Sequence, residues 1–506
     1  MNRRRFISNS LSFSSALLVP SVLNLFMGPG RAHAHHHDRP APAPHPHPPS
    51  PPSRTGPTGP IALDFELQAV PESFHVYSDR ATEMWRFRVG TVTAGASQLS
   101  HIPGSFLGPT LELRQGQRLR VKFVNSITQA SIIHWHGLDV PMDQDGHPHS
   151  VVGPGDSYQY DFVIPNRAGL YFYHPHPHGK VGEQVNRGLV GLLRVRDDEE
   201  DALGLPADEN EHLIALIDRR VNADRQFEYM TGGGHDHMMG MHGNTLLING
   251  QTQAPLKVKR GWQRLRIANL SNARIYNLQW SDGRPLSIIG TDGGLLESAE
   301  TRQQVLLSPA ERLDVLVDLS KAKEGDQLSL QSAPLVAGRG SPFDLIQLHC
   351  TSEIGAAWTM PQTLCRFDRI SESEAINAAP GSEKIFTLGI SQQEGWTIDA
   401  LPYEPGIVRA KETVRFGDTE IWEFDNSGTH LPHPIHIHGA SFQVLSRTSG
   451  SFTGAFDLGW KDTVLLLPGD RVRLIKRFNT HKGDFLFHCH NLEHEDHAMM
   501  RDFRIL

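Results

Sequence analysis

Cysteine is scarce, with three in 506 residues. A chain this long cannot rest on a disulfide framework with so few, so each needs its own account. Positive charge is short as well: 48 Lys and Arg stand against 56 Asp and Glu, a formal net −8. That disfavours nucleic acid and anionic membranes as partners. Long apolar runs are missing beyond the N-terminus, which reads Arg3-Arg4-Arg5-Phe6-Ile7, then an apolar stretch from about Leu11 to Met27, then Ala32-His33-Ala34. This order describes a cleaved signal peptide over residues 1–34 and no membrane anchor. Ser, Asn and Pro inside the stretch argue against a spanning helix. The Arg-Arg-x-Phe pattern resembles a twin-arginine signal, whose pathway exports folded proteins; an ordinary secretory signal is the alternative. Cleavage would remove four Arg and no acid, taking the formal charge from −8 to −12. The expected location is periplasmic or secreted.

Helix-length periodicity is also sparse. Residues 35–60 form a Pro- and His-rich tract that cannot build a core and reads as a mobile linker, with weak copper capture as a further option. The remainder is too long for one core and carries a diverged repeat. An alternating strand closed by Asn appears three times: Arg114 to Asn125, Arg260 to Asn269, and Phe416 to Asn426. Pro154-Gly155-Asp156 and Pro468-Gly469-Asp470 form a second repeated feature, matched in the middle by Ser308-Pro309-Ala310-Glu311. Frequent Gly and Pro with short alternating strands predict β-sandwiches. The expected partition is a domain over 61–203, a middle domain over 204–350, a linker over 351–381 and a last domain over 382–506. The middle copy carries no His at the positions where the outer copies do, and reads as a spacer.

Histidine is what the chain has in quantity, 29 residues. The C-terminal run FHCHNLEHEDHAMM contains His488, Cys489, His490, His494 and Met499. On a strand, alternate side chains point to opposite faces, so His488 and His490 look one way and Cys489 the other. A thiolate, an imidazole five residues on and a thioether five beyond that are ingredients of a blue-copper site: two His, one Cys and a weak axial Met. Further imidazoles come from His134-Trp-His136, His174-Pro-His176-Pro-His178 and His433-Pro-Ile-His436-Ile-His438. Paired His at i and i+2 share one face, as a multinuclear site requires.

These four blocks resemble the four copper motifs of the multicopper oxidases, over nearly the whole chain after about residue 60. The resemblance implies three cupredoxin-like Greek-key β-sandwich domains, an all-β fold holding four copper ions. Carried over by position, His433, Cys489 and His494 would bind the blue copper with Met499 axial. His134 and His436 would bind the single copper of a trinuclear cluster, and His136, His174, His176, His438, His488 and His490 its coupled pair. His178 falls outside the pattern. Asp145 and Glu495 match positions where acids relay protons to the cluster; solvated loop carboxylates are the alternative.

The implied activity takes four electrons, one at a time, from a reductant and passes them to O2. The leading expectation is a laccase-like oxidation of phenols or aromatic amines. The alternative is a metallo-oxidase acting on Cu(I), or on another metal ion such as Fe(II) or Mn(II), in periplasmic copper tolerance. Met230 to His242 mixes thioethers with imidazoles and could dock cuprous ion, or could be a Gly-rich loop with incidental Met. The residues before His433, Gly428-Thr429-His430-Leu431, lack the acid and Met of copper-tolerance members. Non-catalytic relatives that have shed their ligands, two-domain nitrite reductases and copper-storage proteins all leave some of the ligand set unexplained. A single chain can complete every site, so a monomer is expected. Cys350 and Cys365, in an oxidising compartment, could form a disulfide; two buried thiols are the alternative, and geometry decides.

Overall fold

The computed structural model describes residues 57–506 apart from 58, 253–254, 336–340, 392–394 and 451–452. The signal peptide and the His- and Pro-rich tract therefore lie outside the described residues, save Pro57, Gly59 and Pro60.

Three pairs of facing sheets follow one another along the chain. In the first, the strands Thr82–Ala94, Ile61–Phe74, Arg118–Asn125 and Ser157–Val163 pack against Leu99–Ser100, Thr110–Arg114, Gly191–Arg196, Gly169–Pro175 and Ile133–His136. In the last, Gly395–Ile398, Lys384–Ser391, Thr419–Asp425, Arg471–Arg477 and Gln443–Thr448 face Thr413–Val414, Met500–Ile505, Gly483–Cys489, His433–Ile437 and Thr463–Leu466. The middle pair has the same plan, with one larger sheet built around Glu211–Val221, Trp262–Asn269 and Arg312–Asp318.

The repeated strand occupies the same place each time. Arg118–Asn125 runs parallel to one neighbour and antiparallel to the other, as do Trp262–Asn269 and Thr419–Asp425. Alternation does the packing: Leu119, Val121 and Phe123 point into the first core, while Lys122 between them is exposed. The terminal Asn has a common task. Its buried side-chain amide donates to backbone carbonyls: Asn125 to Gln129 and Val152, Asn269 to Arg274 and Leu307, Asn426 to Leu431 and Leu467. A buried amide must be satisfied, so each Asn ties the strand end to the loop beside the strand that carries His in the outer copies and none in the middle one.

The Pro-Gly-Asp turns complete that tie. The Asn N–H donates to the carbonyl of Asp156, Glu311 or Asp470, and the Asn carbonyl accepts from Gly155, Ala310 or Gly469. Gly155 and Gly469 sit at φ +88° and +86°. Ala310 fills the same place in the middle copy at φ +70°, a left-handed conformation that costs an L-residue about 1–2 kcal/mol. The middle copy thus keeps the turn after losing the glycine that makes it easy.

Apolar clusters join the three sandwiches. Leu170, Phe172 and Leu192 of the first meet Ala215, Ile217 and Ala268 of the second. Ile275 and Leu306 of the second meet Leu465 and Leu467 of the third. Val181 and Val185 meet Leu492, closing the ring between the first and third. Among the described residues no helix is long and apolar enough to cross a membrane. The disulfide is not formed. Cys350 and Cys365 are both free thiols, buried in different clusters, and Cys365 Sγ lies against the carbonyls of Leu295 and Leu296.

Candidate metal centres

The ligand-bearing strands meet across the junction of the first and third sandwiches. Ile133–His136 pairs with Gly169–Pro175, placing His134 opposite His174. His433–Ile437 pairs with Gly483–Cys489, placing His436 opposite His488. Extended geometry turns the i and i+2 imidazoles of each strand to one face, and the two His-bearing faces confront each other. All eight junction histidines, His134, His136, His174, His176, His436, His438, His488 and His490, are buried.

They sort into three groups of nitrogens within 4.8 Å of one another: His134, His136 and His436; His136, His174 and His490; His176, His438 and His488. In the last, the Nε2 atoms of His176 and His438 stand 3.3 and 3.2 Å from that of His488. His134 Nε2 and His436 Nε2 are 3.4 Å apart. Three ligands about 2.0 Å from one ion in a trigonal arrangement sit about 3.5 Å apart, so this spacing suits a shared cation. The outward nitrogens explain why the inward ones lack protons. His134 Nδ1 meets the Asp145 carbonyl at 2.7 Å, His436 Nδ1 the Asp462 carbonyl at 2.8 Å, and His438 Nδ1 the Asp145 carboxylate at 2.7 Å. Oxygens that only accept place the proton on Nδ1 and turn a lone pair into the cavity. Burial pushes His174, His176, His438 and His490 well below the ordinary imidazole range. Neutral rings are what a metal needs. Several of their nitrogens, including His136 Nδ1, His174 Nε2 and both of His490, have no hydrogen-bond partner among the described residues. Such buried orphans are costly unless a ligand is bound.

A second centre lies wholly in the third sandwich. His433 Nδ1 is 3.5 Å and His494 Nδ1 3.7 Å from Cys489 Sγ, and the two Nδ1 atoms are 3.2 Å apart. Burial raises the Cys489 thiol and lowers His433 to about 3. The Asn491 N–H points at the sulfur from 3.4 Å. Met499 is fully buried in the same cluster as Cys489, and its backbone carbonyl accepts the Cys489 N–H. The chain reaches it through Ala498, at φ +79° after the helix Leu492–Asp496. A His2Cys triad beside a buried Met fits a blue-copper site. His488 and His490, on either side of Cys489, fall in two different His groups.

Asp145 and Glu495 are both at the cluster and buried. Burial raises Asp145 above the usual carboxylate range. Glu495 has one oxygen 3.1 Å from His488 Nδ1 and the other 3.4 Å from His176 Nε2, but neither makes a well-aligned hydrogen bond. His178 is exposed, packs on the Tyr403 ring and joins no group.

Two features escaped sequence reading. Met230 to His242 is more than a loop: the helix Gly234–Met239 packs on the blue-copper candidate. His494 Nε2 faces the Met238 carbonyl at 3.0 Å, Asn491 reaches the Met239 carbonyl, and Trp396 spans the two, donating to the His237 carbonyl while its ring lies 4.1 Å from that of His494. Arg220 anchors the segment through Asp236 at 2.6 and 2.8 Å. The middle domain, read as a spacer, also reaches the cluster. Arg312 grips Asp462 through both carboxylate oxygens, at 2.7 and 2.5 Å, and Asp462 in turn lies 3.1 Å from His136 Nε2. No spacing rule links residues this far apart in sequence.

Comparison with known proteins agrees. Multicopper oxidase family models match residues 88–200 and 379–506. A multicopper oxidase of Staphylococcus aureus is 30% identical over 405 residues, 79% of this chain and 83% of that one. A laccase of Bacillus subtilis is 28% identical over 462 residues, 79% of this chain and 89% of that one. The crystal structure of the McoA multicopper oxidase from Aquifex aeolicus superposes with a TM-score of 0.76 at 32% identity, covering 88% of this chain and 96% of that one. The chain belongs to the multicopper oxidase family and is a copper-dependent oxidoreductase that uses O2 as electron acceptor, built from three cupredoxin-like domains.

Proposed function

We propose that this chain is a laccase-like oxidase holding four copper ions, which couples one-electron oxidation of phenolic or aromatic substrates to reduction of O2 to water. The gathering of eleven buried His and Cys side chains into one His2Cys triad and three His groups, two of which share His136, carries the reading. His433, Cys489 and His494, with Met499 axial, would hold the blue copper. His134 and His436 would hold the single copper of the cluster. His136, His174 and His490 would hold one member of the coupled pair, and His176, His438 and His488 the other. When bound, these ions supply a one-electron acceptor and a four-electron store facing O2.

The protein's own part is geometric and protonic. Cys489, between His488 and His490, offers a continuous covalent route from the electron-accepting site to the cluster. Asp145 fixes the tautomers of His134 and His438 and, held protonated more readily than a surface acid, can hand a proton inward. Glu495, with both oxygens unclaimed, is placed to do the same from the opposite side. The domains are assigned to 61–203, 204–350 and 382–506. A single chain supplies all ligands, consistent with a monomer. Export to the periplasm or beyond rests on the N-terminal signal.

The position of Met238 and Met239 favours a second reading, oxidation of Cu(I). Their segment covers the imidazole through which electrons would enter, and thioethers select cuprous ion. Against it, the approach to His433 carries no thioether: Thr429 Oγ1 sits 3.0 Å from His433 Nε2. Oxygen uptake by copper-loaded enzyme, comparing kcat/KM for a methoxyphenol and for complexed Cu(I), with and without a Cu(II) chelator, separates the two. Phenol turnover that survives the chelator supports the laccase reading. Phenol turnover that depends on added copper, beside fast Cu(I) oxidation, replaces it with the metallo-oxidase.

A further inference from the structure

The copper-free middle domain reaches into the trinuclear site through one side chain. Arg312 stands at the start of the strand Arg312–Asp318, nearly fully buried, where all three domains meet. Its Nε donates to the Leu170 carbonyl of the first domain at 3.0 Å, and its Nη atoms to the Ala310 and Asp292 carbonyls of its own domain at 2.8 and 3.0 Å. Its two Nη atoms also hold the third domain's Asp462 in a fork-to-fork pair. Bidentate guanidinium–carboxylate pairs carry geometric specificity that a point charge lacks. Asp292 braces the same spot, accepting the Arg312 N–H at 2.8 Å and pairing with Lys461 at 3.2 Å. There is no slack around the pair. A Cβ at Gly137 would meet Asp462 Oδ2 at 2.6 Å and Arg312 Nη2 at 2.7 Å.

Asp462 faces the opposite ring nitrogen of its histidine from the one the other outer oxygens face. His134, His174, His436, His438 and His488 each turn Nδ1 toward an oxygen outside the cavity. His136 is reversed: Nε2 faces Asp462 Oδ1 at 3.1 Å and Thr463 Oγ1 at 3.3 Å, and Nδ1 is buried without a hydrogen-bond partner. A carboxylate can only accept, so it fixes the proton on Nε2 and leaves the Nδ1 lone pair for metal. The ring cannot set this alone. Stacking on Phe172 at 4.3 Å and on His436 at 3.8 Å fixes its plane but not its tautomer.

We propose that Arg312, acting through Asp462, is a positioning residue that selects the metal-binding nitrogen of His136, so that the ligand-free middle domain determines whether the trinuclear site can load. This rests on the copper assignment above. It gives the middle domain a role beyond spacing: without Arg312, Asp462 would keep the Thr463 hydroxyl but lose the guanidinium that holds both of its oxygens.

The test uses Arg312→Met, Arg312→Lys and Asp462→Asn in the full copper-loaded chain. Asp462→Asn keeps shape and volume but puts an NH2 group against either His136 or Arg312, because both carboxylate oxygens are engaged. Copper per chain is measured at fixed free copper alongside blue absorbance, electron paramagnetic resonance and thermal melting. The blue centre lies wholly in the third domain and is the internal control. Arg312→Met and Asp462→Asn should keep the blue absorbance while cluster copper binds about 10–100-fold more weakly. Arg312→Lys should fall between, since an ammonium reaches one oxygen well. Selective 15N-histidine spectra of the metal-free chain should show the His136 proton leaving Nε2 in Asp462→Asn. Full cluster loading in both variants would overturn the proposal. So would parallel loss of blue and cluster copper with a lowered melting point, which would reduce Arg312 to a scaffold contact. A wild-type chain that never turns blue on copper loading would instead sink the copper assignment itself.

Discussion

Glu200 offers a perturbation whose size can be worked from the structure. It is 2% exposed at the junction of the first and middle domains. Its carboxylate accepts from Arg266 Nη2 at 2.6 and 2.7 Å, Arg264 Nη2 at 2.9 Å and Arg196 Nη1 at 2.9 Å. Burial alone would raise its pKa. The Arg266 and Arg264 guanidiniums reverse that and hold it at about 2, against an ordinary 4.5. A depression of that size corresponds to about 3 kcal/mol of stability at neutral pH. Removing one partner of a buried ion cluster independently suggests about 3–5 kcal/mol. The folded pKa is the lower one, so the contribution is complete above about 4.5 and disappears as pH falls through about 2. Glu200→Gln should therefore lower the calorimetric midpoint of the copper-free chain by roughly 6 °C at pH 7, taking about 2 °C per kcal/mol for a unit of this size. At pH 3 the gap should shrink to less than half. A variant that melts with the wild type at pH 7, or a gap that stays constant between the two pH values, would refute the assignment of this energy to the Glu200 charge.

Other outcomes follow from the candidate centres. Cys489→Ser should abolish blue colour and oxidase activity together; retained colour would mean the site is misplaced. Met499→Leu should keep the colour and raise the reduction potential, because the axial bond is weak; an unchanged potential in redox titration would remove Met499 from the copper. Asp145→Asn should slow O2 reduction at least tenfold with the blue absorbance intact, and unchanged steady-state turnover would take Asp145 out of proton delivery. Met238→Leu with Met239→Leu should lower kcat/KM for Cu(I) several-fold and spare phenols if the segment docks cuprous ion; equal loss on both would leave it a structural cover.

The outer ligands were legible because their signal is local. A strand turns i and i+2 to one face, so His134 with His136 and His488 with His490 announce shared sites from spacing alone. The repeat was legible for a similar reason: Asn125, Asn269 and Asn426 each close an alternating strand, and the same amide has the same buried task in all three. What could not be read is what depends on folding distant segments together. Arg312 and Asp462 are 150 residues apart, and neither lies in a motif. Whether His136 binds through Nδ1 or Nε2 has no trace in its neighbours in sequence. The segment 230–242 read as Gly-rich because the contacts that make it a helix on His494 come from Trp396, Asn491 and Arg220. Cys350 and Cys365, close in sequence, are drawn into separate cores because the chain between them crosses from one cluster to another.

The cluster's candidate ligands are recruited across great chain distance: His134 and His436 are 302 residues apart, and His176 and His488 are 312. During synthesis, neither the His2Cys triad nor the groups that include His488 and His490 can assemble until nearly the last residues have been made and folded back. A chain cut short before His488 lacks the Cys489 thiol and His494 of the second centre, and two of the junction's eight imidazoles, His488 and His490, at once. Premature termination or proteolysis near the C-terminus therefore removes the candidate electron-accepting triad together with part of the histidine cluster. The wide separation makes completeness of the polypeptide a condition for assembling both candidate centres.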